Sequence, residues 1–439
     1  MLMIRYLMLS LILLFTAKSL AADDNMKITQ DGVGEVLIFP FFTTQNGWDA
    51  YINVFRHSGR YPISSASPLL HLKFRSAETG DVVKSLNAYV GSGNNFRFSL
   101  SKDEAGKVTL RVAEGLCVLD GVGYGFGSGA QFDIPINTGS LEVYHLGGND
   151  LALLPQPEES HCAEQADYLA GIEPDAEPVG QYDIRDDLIY GTANLMNVQQ
   201  GLSAAYEATA ITNTRMHALL GSRDARSIHP LNTYINLSRV QGGIDALAKL
   251  MMAMHISNEV VVLDELNAQT DWVISYPLAG YKNHKPFSVL MDGRTKYCGT
   301  LGLPVEEGKV AVQQYLWIGD NSFIGSVGGG EVYDAYKDYY DIGLLPDHPK
   351  VAADLCHAVN VVSFDRPSIL QESGSILATR VDNVLPGPAT RSTLYHTGSY
   401  DQAPVLGFRL TSFKNGTLDN GNTLANYALL TPHRYFNRE

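Results

Sequence analysis

Asp271-Trp272 is the pair of residues in this chain whose types most readily do chemistry together. An indole can stack on the apolar face of a sugar ring while a neighbouring carboxylate accepts hydrogen bonds from its hydroxyls. Both lie in Thr270-Asp-Trp-Val-Ile-Ser-Tyr-Pro277, which reads as a strand ended by proline. Successive strand residues point to opposite faces, so the two do not easily share one ligand. The competing reading is a core tryptophan beside an acid that faces solvent or caps a turn.

The four cysteines, Cys117, Cys162, Cys298 and Cys356, are the next candidates. An even count in an exported chain favours two bridges, and three pairings are open. Joining neighbours, Cys117 to Cys162 and Cys298 to Cys356, closes two loops of similar length. A four-thiolate zinc site needs closely spaced cysteine pairs, and none occur. Other chemistry is sought without result. Gly-x-Ser-x-Gly and His-Glu-x-x-His are absent. Histidines such as His217, His229 and His255 are not arranged as metal ligands. Asp334, Asp338 and Asp341 fall on one face of an expected helix and lack the spacing of a calcium loop. Gly121 to Gly129 alternates glycine without forming a phosphate-binding fingerprint and reads as a flexible loop beside Cys117. No metal and no cofactor is therefore expected.

Export is legible at the N-terminus. Arg5, the apolar run Tyr6 to Phe15 and Ser19-Leu20-Ala21 have the three parts of a secretory signal over residues 1–21. The apolar run is shorter than a span needs, and no later stretch resembles a transmembrane segment. The formal charge of the whole chain is −15, and loss of the signal removes two cations and no acid. Such a chain repels phosphate, which disfavours nucleic acid and anionic lipid as general partners. Charged residues make up only 18% while Gly (41) and Tyr (23) are plentiful, a composition suited to a β-rich extracytoplasmic protein.

The elements that position these residues read as strands. Glycines open Asp31 to Thr44, whose apolar run is too continuous for a strand with one wet face, and Pro40 belongs at an edge, a bulge or the strand's end. From Trp48 to Val112 a meander follows. Leu70, Leu72 and Phe74 alternate with His71, Lys73 and Arg75; Phe96, Phe98 and Leu100 alternate with Arg97 and Ser99. That pattern implies an antiparallel sheet with the charged residues outward. Further strands are expected at Leu141–Leu146, Leu188–Val198, Ala204–Ile211, Ala358–Phe364, Ile376–Arg380, Val405–Phe413 and Ala425–Thr431.

The expected architecture is mainly β, with antiparallel sandwich-like sheets in two domains. The first spans 22–187 with an excursion at 117–187. The second spans 188–439 with helical inserts at 243–255 and 299–350.

Three stretches resemble a family of uncharacterised exported proteobacterial proteins. Gly32-Val-Gly-Glu-Val-Leu-Ile-Phe-Pro-Phe-Phe-Thr43 is similar to that family's opening Gly-x-Gly-Gln-Val-Leu-Ile-Tyr-Pro-Tyr-Tyr-Thr. Asn258-Glu259 with Thr270 to Pro277 is similar to its Asn-Glu-Tyr and Thr-Asp-Trp-Val-Val-Thr-Phe-Pro, and Cys356 to Phe364 to its Cys-x-x-x-Asn-Val-Leu-Thr-Phe. Val260 replaces an aromatic, and Leu278-Ala279 replace a Thr-Lys pair. The resemblance implies an exported envelope or surface protein and carries no catalytic residues.

The leading expectation is therefore a secreted cell-envelope or cell-surface structural or interaction protein located in the periplasm, at the surface or outside the cell. Its partners would be envelope components or copies of itself, joined through strand edges near the tail Ala22 to Gln30. The alternative is a secreted carbohydrate-active enzyme or glycan-binding protein. An outer-membrane barrel ranks third, because the expected helical inserts and charged C-terminus do not suit one.

Overall fold

The computed structural model describes residues 26–58, 67–89, 95–113, 116–120, 123–127, 130–149, 162, 187–212, 247, 250–253, 255–280, 304–305, 309–310, 314–319, 351–353, 355, 357–381, 387–395, 403–418 and 423–436. The fold is mainly β, with antiparallel pairing in all but one of the strand pairs described. An eight-stranded sheet runs, in spatial order, through Lys27–Ile28, Thr209–Thr212, Val36–Thr43, Thr138–Asn149, Ser67–Ser76, Val82–Tyr89, Cys117–Asp120 and Gly123–Phe126. A six-stranded sheet runs through Gln131–Asp133, Val108–Val112, Phe96–Lys102, Asp49–Ser58, Asp187–Asn197 and Leu202–Glu207. The meander is thus divided between two sheets whose apolar faces meet, with Phe74, Phe96, Phe98, Leu72 and Leu100 in a common core.

The strand Val36–Thr43 is central and buried along its whole length. It lies between two strands and contributes Leu37, Phe39 and Phe41 to the core. Pro40, which cannot donate to a ladder, falls where the pairing with Thr138–Asn149 shifts register between Gly139 and Leu141. The bulge absorbs the missing donor.

Residues beyond 250 add two five-stranded sheets. One consists of Ala378–Val381, Val359–Phe364, Gln269–Ser275, Leu406–Leu418 and Thr423–Pro432, the first two parallel. One face joins the same core as the N-terminal strands: Phe408 packs edge-on against Phe41 at 5.9 Å and lies 5.0 Å from the ring of Tyr206. The opposite face, with Trp272, Ile274, Val362 and Phe364, meets Ile256 and Val260 in a second core. Those two belong to the other five-stranded sheet, ordered Val351–Ala353, Gln314–Gly319, Gly387–Tyr395, His255–Val262 and Arg434–Phe436.

Several sequence expectations change here. The Gly121–Gly129 stretch is no simple loop: Gly123–Phe126 pairs with Cys117–Asp120 as a hairpin. A Cβ on Gly125 would come within 2.8 Å of Ala130 and of the Phe132 ring, so glycine permits that close approach. The helix expected at 243–255 holds for Leu247, Leu250 and Met251, but Met252–Ala253 and His255–Val262 are strands because each finds a pairing partner. Within 299–350 the described residues form strands, Pro304–Val305, Lys309–Val310 and Gln314–Gly319; the Asp334, Asp338 and Asp341 face lies outside the described residues. So do His217, His229, residues 1–25 and the cysteines Cys298 and Cys356. Among the described residues no helix is long and apolar enough to cross a membrane.

Cys117 and Cys162 form a disulfide with their Cα atoms 5.6 Å apart, closing a separation of 45 residues. Chain-entropy bookkeeping for a loop of that length gives roughly 4 kcal/mol of stabilisation. Cys117→Ser with Cys162→Ser is expected to lower the urea-unfolding free energy by about that amount and to raise the m-value, as the unfolded chain loses a cross-link and expands. A loss below about 1 kcal/mol would show that the bridge constrains little in the unfolded chain.

Candidate functional site

The outer face of the six-stranded sheet exposes Tyr51, Arg97, Arg111 and Tyr190. In Asp49–Ser58 the even positions Ile52 and Val54 turn into the core, so Tyr51, Asn53 and Phe55 turn out. The same alternation in Asp187–Asn197 sends Ile189, Ala193 and Leu195 inward and Tyr190, Thr192 and Asn194 outward. Antiparallel register then sets Phe55 opposite Tyr190, Asn53 opposite Thr192 and Tyr51 opposite Asn194. Phe55 and Tyr190 stack at 4.8 Å, while Tyr51 and Tyr190 remain 38% and 37% exposed.

On the other flank of Asp49–Ser58, Asn53 faces Arg97 and Tyr51 faces Ser99, which in turn faces Arg111. Both arginines are exposed. An aromatic column along two strands thus borders a guanidinium column along the next two. Asp49 sits at the margin, its carboxyl raised by burial and partly pulled back by Arg111.

A different cluster occupies the outer face of the eight-stranded sheet, and there the sequence expectation fails. His71, Lys73 and Arg75 were expected to face solvent, yet all three are buried, as are Ser85, Asn87 and Glu142 on the adjoining strands. Cross-strand pairing sets Lys73 beside Glu142 and His71 beside Tyr144. Arg75 grips Glu142 with two bonds, Nε to Oε1 at 2.6 Å and Nη2 to Oε2 at 3.0 Å, and gives Nη1 to the Gly80 carbonyl at 2.9 Å. Tyr144 donates its hydroxyl to Glu142 at 2.7 Å, and Lys73 lies 4.8 Å from the Tyr144 ring centre. Burial pushes the Glu142 carboxyl up, but Arg75, Lys73 and Tyr144 together outweigh it and hold the group ionised. Burial pulls Lys73 down to about 8 and His71 to about 4, so His71 is neutral and donates Nδ1–H to Asn87 at 2.7 Å. The cluster is an internal ion network, and alternation alone cannot reveal what covers a sheet face.

Asp271 and Trp272 point to opposite faces of Gln269–Ser275, and both are fully buried. Trp272 fills the second core, giving Nε1–H to the Glu259 carbonyl at 3.0 Å and packing on Phe364 and His433. Asp271 Oδ2 accepts from Ser368 Oγ at 2.6 Å and from the amides of Ile369 and Leu370 at 2.8 and 3.0 Å. Burial raises its carboxyl to about 7 against those three donors. The segment it holds reaches the N-terminal strands: the Ile369 carbonyl accepts from Trp48 Nε1 and Asn46 Nδ2, and Gln371 donates to Thr138. Asp271 is therefore a clasp for residues 368–371, and the pair makes internal contacts in two separate places.

Comparison of the chain with models of protein families, with curated proteins and with solved structures finds no match. The outer-face residues Tyr51, Asn53, Phe55, Arg97, Arg111 and Tyr190 were not singled out from sequence. The signal was there in the alternation of Tyr51, Asn53 and Phe55 with Ile52 and Val54. Its weakness is that Tyr190 joins the patch only through non-local pairing.

Proposed function

We propose that this is an exported protein of the bacterial envelope or surface that works by binding, through the open face of its six-stranded sheet. The observation that carries the reading is the aromatic and guanidinium surface itself: Tyr51, Phe55 and Tyr190 beside Arg97 and Arg111. Aromatic and arginine side chains are the residue types that dominate recognition surfaces. The signal-like N-terminus, the Cys117–Cys162 bridge and the resemblance to exported proteobacterial proteins support the location.

Assembly through strand edges has less support. Lys27–Ile28 already pairs with Thr212 and Ile211 of its own chain. The long edge strand Thr423–Pro432 lies against the turn at Gln200-Gly201, with Asn426 donating to the Gln200 carbonyl at 2.7 Å. The other outer strands of the two N-terminal sheets are short or, as in Leu202–Glu207, carry exposed Glu207.

The test is co-sedimentation of the purified protein with isolated envelopes of the producing bacterium, comparing wild type with Tyr51→Ser/Tyr190→Ser. The double variant is expected to lose most binding, tenfold or more, while still unfolding in one cooperative transition, destabilised by about 1–2 kcal/mol through loss of the Phe55–Tyr190 stack. Equal binding by the two proteins would remove the face from the account.

A further inference from the structure

We infer that the ligand of the open face is a carboxylate-bearing polysaccharide, a chain of uronic-acid-type sugars; this rests on reading that face as the binding surface. Two parallel tracks carry the argument. Along the first, Tyr51 and the stacked pair Phe55–Tyr190 present ring surface. Register places Tyr190 and Tyr51 four residues apart along paired strands, or about 13 Å at the rise of a β-strand. Two separated platforms suit an extended chain, whose rings can stack at intervals, better than one small molecule. Asn53 and Asn194 lie among them, with amides that both donate to and accept from hydroxyls.

Along the second track, Arg97 borders Asn53, and Arg111 stands two strands from Tyr51, about 10 Å across the sheet. Arg97 has no ion-pair partner among the described residues. Arg111 acts on Asp49 and is itself exposed. An exposed guanidinium presents a planar fork that matches a carboxylate in two bonds. Two such forks beside stacking rings give a chain of net charge −15 a local cationic site that fits carboxylates. A neutral glycan would leave Arg97 without a counter-charge among the described residues.

The experiment is affinity electrophoresis and titration calorimetry of the mature protein with alginate as the polyuronate and dextran as the neutral glucan. Wild type is compared with Tyr51→Ala, Arg97→Ala and Tyr124→Ala, the last an exposed tyrosine on the other sheet. Alginate binding that falls at least tenfold in Tyr51→Ala and Arg97→Ala, is unchanged in Tyr124→Ala and weakens toward ~1 M salt supports the inference. Equal binding of dextran with no effect of Arg97→Ala overturns the carboxylate requirement. Failure of both glycans, with envelope co-sedimentation still lost in the Tyr51/Tyr190 variant, overturns the ligand class and leaves the binding face standing. Loss of neither overturns both.

Discussion

Arg75→Met is expected to destabilise the protein by about 3–5 kcal/mol, the largest effect of any single substitution considered, because it strands the Glu142 carboxylate inside the structure. Methionine keeps the apolar stem of Arg75 but not its guanidinium, so the loss combines the stranded carboxylate with the Gly80 carbonyl left without its donor. Glu142 would keep the Tyr144 hydroxyl and the nearby Lys73 but lose both guanidinium bonds. Glu142→Gln should cost a comparable amount by the opposite route, leaving Arg75 and Lys73 as neighbouring buried cations without the anion between them. The measurement is urea unfolding of both single variants and the double, read as a double-mutant cycle. A coupling of 2 kcal/mol or more is expected from charges in direct contact. Additive losses under about 1 kcal/mol each would mean that water reaches this face and screens it as it does a surface pair.

The second large effect is on pH. His71 and His433 are both buried and held near 4 by desolvation, against an ordinary 6.5. His433 is neutral by its contacts too: Nε2–H donates to the Val273 carbonyl at 2.9 Å and Nδ1 accepts from Asn258 at 3.0 Å. A histidine depressed in the fold gives stability that is present above its unfolded value and lost as pH falls toward the folded one. Asp271 is raised to about 7, so it gives stability that is present at low pH and lost as pH rises toward 7. Between about pH 4 and 6.5 the unfolded chain therefore binds two more protons through the histidines and the folded chain one more through Asp271. The net difference of one proton means stability rises with pH by about 1.4 kcal/mol per unit, or about 3 kcal/mol across the window. Between about pH 6.5 and 7.5 Asp271 dominates, and a shallow fall of under about 1 kcal/mol follows, leaving a local maximum near pH 6.5; above about pH 8 Lys73, lowered by burial, makes stability rise again.

Substitution separates these contributions. Asp271→Asn should double the acid-side slope to roughly 2.7 kcal/mol per unit, and His433→Gln in the wild-type background should flatten it. Urea unfolding at intervals of pH measures both. A stability that instead rises toward pH 4 would show that the histidines are protonated and paired in the fold.

How far these features were legible depends on whether their causes are local. Strand identity was local. The alternation of Phe96, Phe98 and Leu100 with Arg97 and Ser99, or the continuous apolar run at Val36 to Phe42, states how a segment is to be buried, and the structure follows it. The Cys117–Cys162 bridge was reached because exported chains pair cysteines and these two are neighbours in sequence. Which wet-looking face is actually wet was not local. His71, Lys73 and Arg75 alternate with leucine and phenylalanine as cleanly as Arg97 and Ser99 do, yet one set is enclosed and the other open. Only the partners brought from distant sequence decide that. The same holds for Asp271, whose neighbour Trp272 drew attention to a sugar-binding reading. Its donors, Ser368 to Leu370, come from a far segment that nothing near residue 271 announces. Gly121–Gly129 was misread for a simpler reason: glycine there serves close packing of a hairpin on Ala130 and Phe132 as well as turning.

The central claim is that the open face of the six-stranded sheet is where this protein meets its partner. Hydrogen–deuterium exchange of the mature protein, free and bound to isolated envelopes, tests it without any substitution. The account predicts slowed exchange in peptides covering Asp49–Ser58, Phe96–Lys102 and Asp187–Asn197, with Gly123–Phe126 unchanged. Slowed exchange confined to other strands, with those three segments unaffected on binding, would contradict it.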